Sequence, residues 1–515
     1  MSTNSGTPTV QRGTILKPRP RAARQRSSSL LDIVLDRAQR AAVEQPTGNA
    51  LLILGEAGHG KTTVAVRRLA HLWRSSPTPL RAAVVVPTEG LARSLQPMLR
   101  QLGVDLEVLT YDRWASFQAR RTFRRLPRES DSTPPSVMRL KRHSALRLAI
   151  EELATREPGR IDDNPDAPAP RRGVLATRGD LQHLFGDAEL LERVARMAQL
   201  PHRGVLETLE RTRTQFHLRA EDEWAHVTER SRLVAVDHRD LDDGTASESA
   251  DTIDVEDYAV LFELARLRAL RRERAPIPRI KTYDVLMLDE AQELAPLELT
   301  LLGRSLRPGG TLIVAGDADQ HTDESSAFRG WEHTMTELGH PDHESVRFEI
   351  GYRCPPEVVA LARVVIGTHG ARAAKGDIAC HAFDDEAAPL AWLTSDLRHL
   401  LHRDRRASVA VLCRTPRTAR RVVRALHAAE VPARLVFDGR FFARGAVQVT
   451  TVDEVKGLEF DFVIIPDAGT VDYPDDAAAR RTMYVAVTRA RHQVVLACVR
   501  EPSAILATMP AIPES

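Results

Sequence analysis

Residues 55–62, which read GEAGHGKT, restrict more than any other feature what this chain can fold into. They follow a continuously apolar run at residues 50–54 and precede a helical pattern, so a buried strand turns through glycines into a helix. Such a loop can curl until successive N–H groups face one anion, and the helix N-terminus adds a favourable dipole. Lys61 would place its charge near the β- and γ-phosphates, and Thr62 its hydroxyl near Mg²⁺. The sequence therefore predicts a nucleotide-phosphate site.

A second buried strand, at residues 283–288, ends in the acidic pair Asp289 and Glu290. An acid at the carboxyl end of such a strand lies beside the phosphate loop. Asp289 is suited to hold Mg²⁺ together with Thr62, and Glu290 to orient or deprotonate the attacking water. Alone, this pair would fit a helix N-cap, but next to the loop it indicates ATP hydrolysis. The residues expected to contact ATP through the loop are Gly55, Glu56, Ala57, Gly58, His59, Gly60, Lys61, Thr62 and Thr63.

Further motifs accompany the acidic pair in a fixed order along the chain. They are LDRAQRAAV (35–43), DEAQ (289–292), GDADQ (316–320), IGYRCPPEV (350–358), TTVDEVKGLEFDFVII (450–465) and MYVAVTRAR (483–491). In this order they resemble the UvrD/Rep class of superfamily 1 helicases, in a compact form similar to the motor cores of HelD and helicase IV. The resemblance extends through these motifs from residue 31 to residue 500 and excludes a helix-rich stretch in between.

The resemblance implies roles for residues that would otherwise pass as ordinary surface. In this family two RecA-like domains close on one ATP, and arginines from the second domain stabilise the charge on the γ-phosphate. Arg353 and Arg489 would be these arginines, and Gln320 would sense the γ-phosphate. The residues that would contact adenine or ribose are Gln39, Tyr352 and Glu459.

The nucleic-acid contacts are predicted from loops that follow the strands, where aromatic side chains stack on bases for about 1–3 kcal/mol each. For Trp331 and Phe328, packing in the core is the alternative to stacking. Pro87-Thr88-Glu89 stands where the family has Thr-Asn-Lys, and Asp453 replaces a family histidine, so that a carboxylate would repel a phosphate there. The residues expected to contact DNA are Thr88, Thr110, Trp114, Phe328, Trp331 and Thr451.

Strand and helix patterns alternate on both sides of the helix-rich stretch, which predicts the α/β class. We expect two RecA-like P-loop NTPase domains with parallel sheets, the first interrupted by a helical insertion. Residues 1–30 carry six basic residues and no acid, which predicts a disordered basic tail that is either an arm on nucleic acid or merely solvated. The predicted ranges are 1–30 (tail), 31–115 with 281–349 (first domain), 116–280 (insertion), 350–500 (second domain) and 501–515 (C-terminal tail).

Composition excludes several other classes of protein. Lys plus Arg number 72 and Asp plus Glu 70, so the net charge of +2 is not that of a histone-like polycation. No apolar run reaches the roughly 18 residues that a membrane span needs. Four scattered cysteines suit a reducing compartment, and we therefore expect a cytoplasmic protein without a membrane partner.

The sequence thus predicts an ATP- and Mg²⁺-dependent helicase or translocase. By resemblance it would move 3′ to 5′ on single-stranded or tailed DNA, in DNA repair or replication. The alternative, which Asp453 motivates, is a nucleotide-switched ATPase that remodels a protein complex, such as RNA polymerase or a repair assembly, without unwinding. Salt-dependent, nucleotide-coupled affinity for single strands would favour the motor, and stable association with a protein partner would favour the switch.

Overall fold

The computed structural model contains two six-stranded parallel β-sheets and one pair of short strands. It describes residues 16–18, 34–123, 126–130, 132–158, 175–216, 250–272, 277–349, 351, 354–367, 378–385, 387–437, 439–441 and 445–506.

The strands and helices of the described residues have the following bounds. The strands are β1 (Ala50–Gly55), β2 (Ala82–Val86), β3 (Val108–Thr110), β4 (Arg128–Glu129), β5 (Thr252–Ile253), β6 (Tyr283–Leu288), β7 (Leu306–Gly316), β8 (Glu344–Phe348), β9 (Ile378–Phe383), β10 (Val409–Cys413), β11 (Ala433–Leu435), β12 (Val447–Thr451), β13 (Phe460–Ile465) and β14 (Ala490–Val499). The α-helices are α1 (Arg37–Glu44), α2 (Lys61–Ser75), α3 (Glu89–Gln101), α4 (Tyr111–Thr122), α5 (Pro135–Arg142), α6 (Leu146–Leu153), α7 (Arg178–Gly186), α8 (Ala188–Ala198), α9 (His202–Phe216), α10 (Glu256–Arg271), α11 (Pro296–Gly303), α12 (Trp331–Glu337), α13 (Pro356–Val365), α14 (Ala388–Arg403), α15 (Pro416–Ala428) and α16 (Ala477–Val487).

The first sheet has the strand order β3-β2-β6-β7-β1-β8 and is parallel throughout. Strand β1 is buried along its whole length because both of its faces are covered. Leu51 and Ile53 face α2, where they join one core with Val64. Leu52 belongs to the core on the opposite face. This burial on both faces explains why the strand reads as an uninterrupted apolar run.

The helical insertion shares its hydrophobic core with the first sheet. Ile150 of α6 and Phe262 of α10 belong to the same buried cluster as Leu52 and Leu286 of the sheet. The insertion is therefore the layer that covers one face of the sheet, and not a unit with a core of its own. It also contains the short parallel pair β4–β5, which its sequence pattern does not reveal.

The second sheet has the order β11-β12-β10-β13-β14-β9 and is also parallel. Along β10, Val409 and Val411 face one buried cluster, while Ala410 and Leu412 face the other. The prediction of an α/β fold with parallel sheets in two RecA-like domains is confirmed. Among the described residues, no helix is both long enough and apolar enough to span a bilayer.

The predicted tails need correction where the structure describes them. Leu16 is 1% exposed and packs in the core of the second domain, and its N–H donates to Asp396 Oδ2 at 3.2 Å. The prediction of a disordered tail is therefore wrong for residues 16–18, because one leucine finds a buried site. Residues 1–15 and 19–30 of that prediction lie outside the described residues. At the other end, Ile505 and Leu506 are buried against the second domain, and residues 507–515 lie outside the description.

Candidate functional site

The phosphate loop lies between β1 and α2, at the carboxyl edge of the first sheet. Gly58 and Gly60 both have φ near 82°, a backbone conformation that favours glycine. The Lys61 ammonium donates to the carbonyls of Gly55 at 2.7 Å and Glu56 at 3.0 Å. The loop and the first turn of α2 thus form a concave edge of backbone N–H groups around a buried cation, which is chemistry suited to phosphate.

Thr62 and Asp289 converge from separate elements onto one point of this edge. The Thr62 hydroxyl donates to Asp289 Oδ2 at 2.8 Å. Burial, followed by the neighbouring Glu290 carboxylate, raises the pKa of Asp289 to about 7. A nearby cation would stabilise the charged form of this buried carboxylate. A hydroxyl and a carboxylate at this distance therefore fit Mg²⁺. Within the described residues no cluster of three or more His, Cys, Asp or Glu side chains could hold a metal alone, so further ligands would come from phosphate and water.

Glu290 begins a chain of side-chain hydrogen bonds along the floor of the cleft. The side-chain amide of Gln292 donates to Glu290 Oε2 at 2.7 Å, and its Oε1 accepts the backbone N–H of Asp317 at 3.2 Å. Gln320 donates to Asp317 Oδ2 at 2.8 Å. Glu290 itself has φ of 54°, which is uncommon for a residue with a side chain and is typical of functional sites. The predicted water-activating and γ-phosphate-sensing residues are therefore connected through Asp317.

The second domain completes the cleft from the opposite side. Arg489 is 4% exposed and donates to Gln320 Oε1 across the domain boundary. The cleft is lined by Lys61, Thr62, Glu290 and Gln320 from the first domain, and by Gly457, Glu459, Thr488 and Arg489 from the second, together with loop residues 57, 58 and 60. The structure thus brings together, in one cleft, residues that are over four hundred positions apart in the sequence, such as Lys61 and Arg489.

Of the three predicted adenine and ribose contacts, the structure describes Gln39 and Glu459. Gln39 is 3% exposed, and it donates to the His59 carbonyl at 3.2 Å while accepting from the Asp36 N–H. It therefore supports the phosphate loop as well as closing the first turn of α1. Glu459 lines the cleft and pairs with Arg491 at 2.6 Å. Tyr352 and Arg353, for which the resemblance implies an adenine contact and a second arginine, lie outside the described residues.

Two predicted DNA contacts are corrected by the packing of α4. The Trp114 ring is fully buried, and its Nε1 donates to the Tyr283 hydroxyl at 3.2 Å, so it has no face for a base. Thr110 is 4% exposed, and its hydroxyl caps α4 by accepting the Arg113 N–H at 3.3 Å. Both residues hold the helix on the sheet, and neither is available to DNA in this arrangement.

The remaining candidates differ in their exposure. Thr88 caps α3 by accepting the Leu91 N–H at 3.3 Å and lines a groove described below. Thr451 ends β12 and is buried. The half-buried rings of Phe328 and Trp331 meet edge to face with centroids 5.1 Å apart. Trp331 also packs against the core so closely that a Cβ on Gly316 would come within 2.1 Å of its ring, so core packing is the dominant contact of Trp331.

A groove of about 940 Å³ runs beside the cleft between the first domain, the insertion and the second domain. Nine acidic and six basic side chains line it. The acids are Glu89, Asp112, Glu256, Glu293, Glu298, Asp323, Glu324, Asp453 and Glu454, and the bases are Arg93, Arg139, Arg142, Arg414, Arg440 and Lys456. Burial, and then Asp254, raise the pKa of Glu256 to about 7. Burial likewise raises the pKa of Asp112 to about 7, so these two carboxyl groups carry only part of their charge near neutral pH. The acidic side chains of the groove nevertheless outnumber the basic ones.

Several of the groove's bases are already paired within the protein. Arg142, on α5 of the insertion, bonds both carboxylate oxygens of Glu298 at 2.9 and 3.0 Å and also pairs with Asp323. Lys456, from the second domain, pairs with Glu293 at 2.7 Å. These contacts connect the insertion and the second domain to the segments that follow DEAQ and GDADQ, and they neutralise the cations that would otherwise face a ligand.

Sequence reasoning left unassigned several residues that the structure joins to the cleft. Gln292 and Asp317 stand inside the motifs DEAQ and GDADQ, so motif membership was the available signal. The Tyr484 hydroxyl reaches Asp317 Oδ2 at 3.5 Å from the second domain. Arg363 pairs with Glu56 of the phosphate loop at 3.2 Å. Contacts of the last kind connect two domains and leave no pattern in either segment alone.

Two segments of the chain match known protein families. Residues 39–325 match a family described as an AAA domain, and residues 446–497 match a family described as the UvrD-like helicase C-terminal domain. No curated protein matches the chain. One similar solved structure is the C-terminal domain of a possible DNA helicase from Lactobacillus plantarum WCFS1, with 20% identity over 31% of this chain and 95% of that one. Its TM-score of 0.27 is too low to support a conclusion.

Proposed function

Because this chain belongs to the UvrD-like helicases of superfamily 1, we propose that it hydrolyses ATP to move along single-stranded DNA, in the 3′ to 5′ direction, in DNA repair or replication. The observation that carries the proposal is the contact between Arg489 and Gln320 across the cleft. Through this contact, Arg489 of the second domain touches the segment of the first domain that is proposed to contact the nucleotide. Hydrolysis in such a cleft is coupled to the relative position of the two domains.

The residues around the phosphates have the following proposed roles in the reaction. The loop N–H groups and Lys61 bind the β- and γ-phosphates, and Glu290 orients the attacking water and takes up its proton. Arg489 stabilises the charge that spreads over the γ-phosphate oxygens in the transition state. Thr62 and Asp289 would hold Mg²⁺, which supplies additional positive charge at the phosphates when bound.

The coupling to movement is proposed to pass through Gln320. Its amide bonds Asp317 on one side and Arg489 on the other, so it contacts both domains. Loss of the γ-phosphate removes the anion around which Arg489 and Lys61 converge. We expect the domains to separate at that point, so that each ATP cycle closes and opens the cleft.

Steady-state ATP hydrolysis with and without single-stranded DNA tests the proposal, with Glu290→Gln as the blank. We expect DNA to stimulate hydrolysis. In Glu290→Gln, turnover should fall by about 10²–10⁴-fold, as on loss of a general base, while nucleotide binding persists. Near-normal turnover in Glu290→Gln would refute the role of this residue. A rate of ATP hydrolysis that does not change when DNA is added would refute the proposal of a DNA-driven motor.

The acidic groove favours a second candidate function, the nucleotide-switched remodelling of a protein complex, such as RNA polymerase or a repair assembly. The groove is lined by nine acids and six bases, and several of the bases are paired within the protein. Such a groove is better suited to bind a cationic protein surface than to bind phosphates. In this case ATPase activity would not respond to DNA. A protein would co-purify stably with Glu290→Gln held in its ATP-bound state and would be released from the wild type by ATP.

A further inference from the structure

The second domain contains a segment whose charge is almost entirely of one sign. Residues 397–434 include ten arginines and only two acids, with no lysine and no Phe, Tyr or Trp. One acid, Asp404, is 3% exposed, and the other, Glu430, lies beyond the end of α15. Protein surfaces ordinarily mix both signs of charge, so this composition calls for a physical reason.

Helix α15 arranges these arginines along one side. Ala419, Val422 and Leu426 are buried against the sheet, in the same core as Leu397 and Leu400 of α14. The opposite side carries arginines at spacings of three, four and seven residues, which places them on one helical face. They are Arg417, Arg420, Arg421 and Arg424, and all four are exposed.

The loop that follows α14 carries two further arginines. Arg405 and Arg406 are exposed there. Arg398 of α14 donates to the Ala429 carbonyl, which brings the two helices together at the end of α15. We call Arg405, Arg406, Arg417, Arg420, Arg421 and Arg424 the arginine face. Along α15 its charges recur at each turn, about every 5.4 Å over roughly two turns.

The chemistry of the arginine face matches a phosphate backbone. Guanidinium groups bind phosphate oxygens in pairs of hydrogen bonds, and they do so better than ammonium groups. Single-strand binders add aromatic platforms on which bases stack. Residues 397–434 contain no Phe, Tyr or Trp, and the guanidinium of Arg420 lies over the ring of the nearby Phe437. A duplex presents one negative charge per roughly 1.7 Å of its axis, without requiring base contacts.

The position of the arginine face relates it to the groove. The Arg420 guanidinium lies 5.8 Å from the ring centroid of Phe437, which lines the groove. Arg414, just before α15, also lines it. We propose that the arginine face binds the phosphate backbone of double-stranded DNA next to this groove. This site goes beyond the proposed translocation activity, because it requires neither ATP nor a single strand.

Replacing four arginines tests the proposal without disturbing the core. The test variant combines Arg417→Gln, Arg420→Gln, Arg421→Gln and Arg424→Gln, because glutamine preserves helix propensity and removes charge. The matched control combines Arg156→Gln, Arg193→Gln, Arg196→Gln and Arg203→Gln on the insertion. Those four arginines are exposed as well, and each is paired with a glutamate. Both variants change the net charge equally.

Binding of a blunt duplex of mixed sequence is measured by fluorescence anisotropy over a range of salt concentrations. In about 100 mM salt we expect the test variant to bind at least 100-fold more weakly than wild type, and its salt slope to fall by roughly 3 to 4. The control should retain both values. Basal ATP hydrolysis should be unchanged in either variant, which shows that each is folded.

Three outcomes would overturn the proposal. An equal loss of duplex binding in the test and control variants would show that only net charge matters. An equal loss of single-strand and duplex binding in the test variant would rule out a duplex site. Wild-type protein that binds vesicles containing phosphatidylserine but not the duplex would assign the arginine face to a membrane surface instead.

Discussion

Arg489 has its guanidinium group fixed by several hydrogen bonds within the protein. Its Nε donates to the Val485 carbonyl at 2.9 Å, and another nitrogen donates to Gln320. A group held in this way loses little further freedom when it meets a phosphate. We therefore expect Arg489→Ala to lower the turnover number by on the order of 10³-fold, as other arginine fingers do.

Arg491→Ala provides the comparison for that measurement. Arg491 is next but one in sequence, but it pairs with Glu459, which lines the cleft. We expect Arg491→Ala mainly to raise KM for ATP, with the turnover number within about tenfold of wild type. Equal losses of turnover in the two variants would contradict the assignment of Arg489.

Residue-level prediction succeeded where one segment contains its own chemistry. The phosphate loop needs only its glycines, Lys61 and Thr62 to be recognised. The prediction that Trp114 contacts DNA is wrong because its burial depends on Tyr283, which lies 169 positions away. Asp317 was missed because two of its partners, Gln292 and Tyr484, come from other segments of the chain. Side-chain roles that depend on such long-range contacts are not contained in a local pattern.

Asp467 leads to a pH prediction outside the cleft. It is 9% exposed, its Oδ2 accepts the Arg414 N–H at 2.8 Å, and its Oδ1 is buried with no hydrogen-bond partner among the described residues. Burial raises its pKa from 3.8 to about 7. Folding therefore favours the protonated form, so the stability penalty grows from about pH 4 to about pH 7 and is constant above that.

Asp467→Asn should remove this penalty while keeping an acceptor for the Arg414 N–H. We expect the variant to raise Tm by about 2–4 °C per kcal/mol gained, with a clearly larger gain at pH 8 than at pH 5. Thermal unfolding of both proteins across this pH range measures the difference. A gain that does not change with pH would show that Asp467 is not the titrating group.

At the scale of elements, the start of α3 packs tightly against the second domain. A Cβ on Gly90 would lie 3.0 Å from Leu458 and 3.1 Å from Phe441, both of the second domain. We expect Gly90→Val to hold the two domains apart. Since misplacing catalytic groups by about 1 Å can cost 10²-fold, DNA-stimulated turnover should fall by about that factor.

Gly186→Val is the matched control, because Gly186 is also helical and has open space around its Cβ position. It introduces the same side chain away from the cleft. ATP hydrolysis by Gly186→Val should stay near the wild-type rate. If Gly90→Val retained full stimulated turnover, the contact between α3 and the second domain would not take part in closure.

The elements that could be predicted are those with strong apolar patterns. Strands β1, β2, β6 and β13 are almost wholly buried, and each reads as an apolar run. Strand β8 was not predicted, because it lies at the edge of its sheet and four of its five residues are exposed or half-exposed. An edge strand takes its conformation from its neighbour more than from its own sequence.

At the scale of the whole molecule, the ion pair of Lys456 and Glu293 joins the two domains. The pair has an N–O distance of 2.7 Å, and both side chains are buried. Removing one member leaves the other as an uncompensated buried charge, which costs roughly 3–5 kcal/mol. We therefore expect Lys456→Met to destabilise the protein by about that amount.

The double variant Lys456→Met with Glu293→Gln should recover at least half of the loss, because no charge is then left alone. Urea unfolding followed by fluorescence measures these differences. Arg81→Met is the exposed counterpart, because Arg81 lies 3.8 Å from Asp284 with more than half of its side chain in solvent. It should cost less than about 1 kcal/mol. Failure of the double variant to recover would mean that the pair does not stabilise the contact.

The strand order of the first sheet has a consequence for how the chain is made. Strand β1 pairs with residues 312–316 and 344–348, so its two neighbours follow it by more than 250 positions. A ribosome adding about 5–20 residues per second would need roughly 15–60 s to supply them. During that interval the apolar strand has both edges unpaired, which makes it prone to join another chain. Newly synthesised molecules should therefore depend on chaperones, and slowing translation before residue 349 should lower the yield of soluble protein.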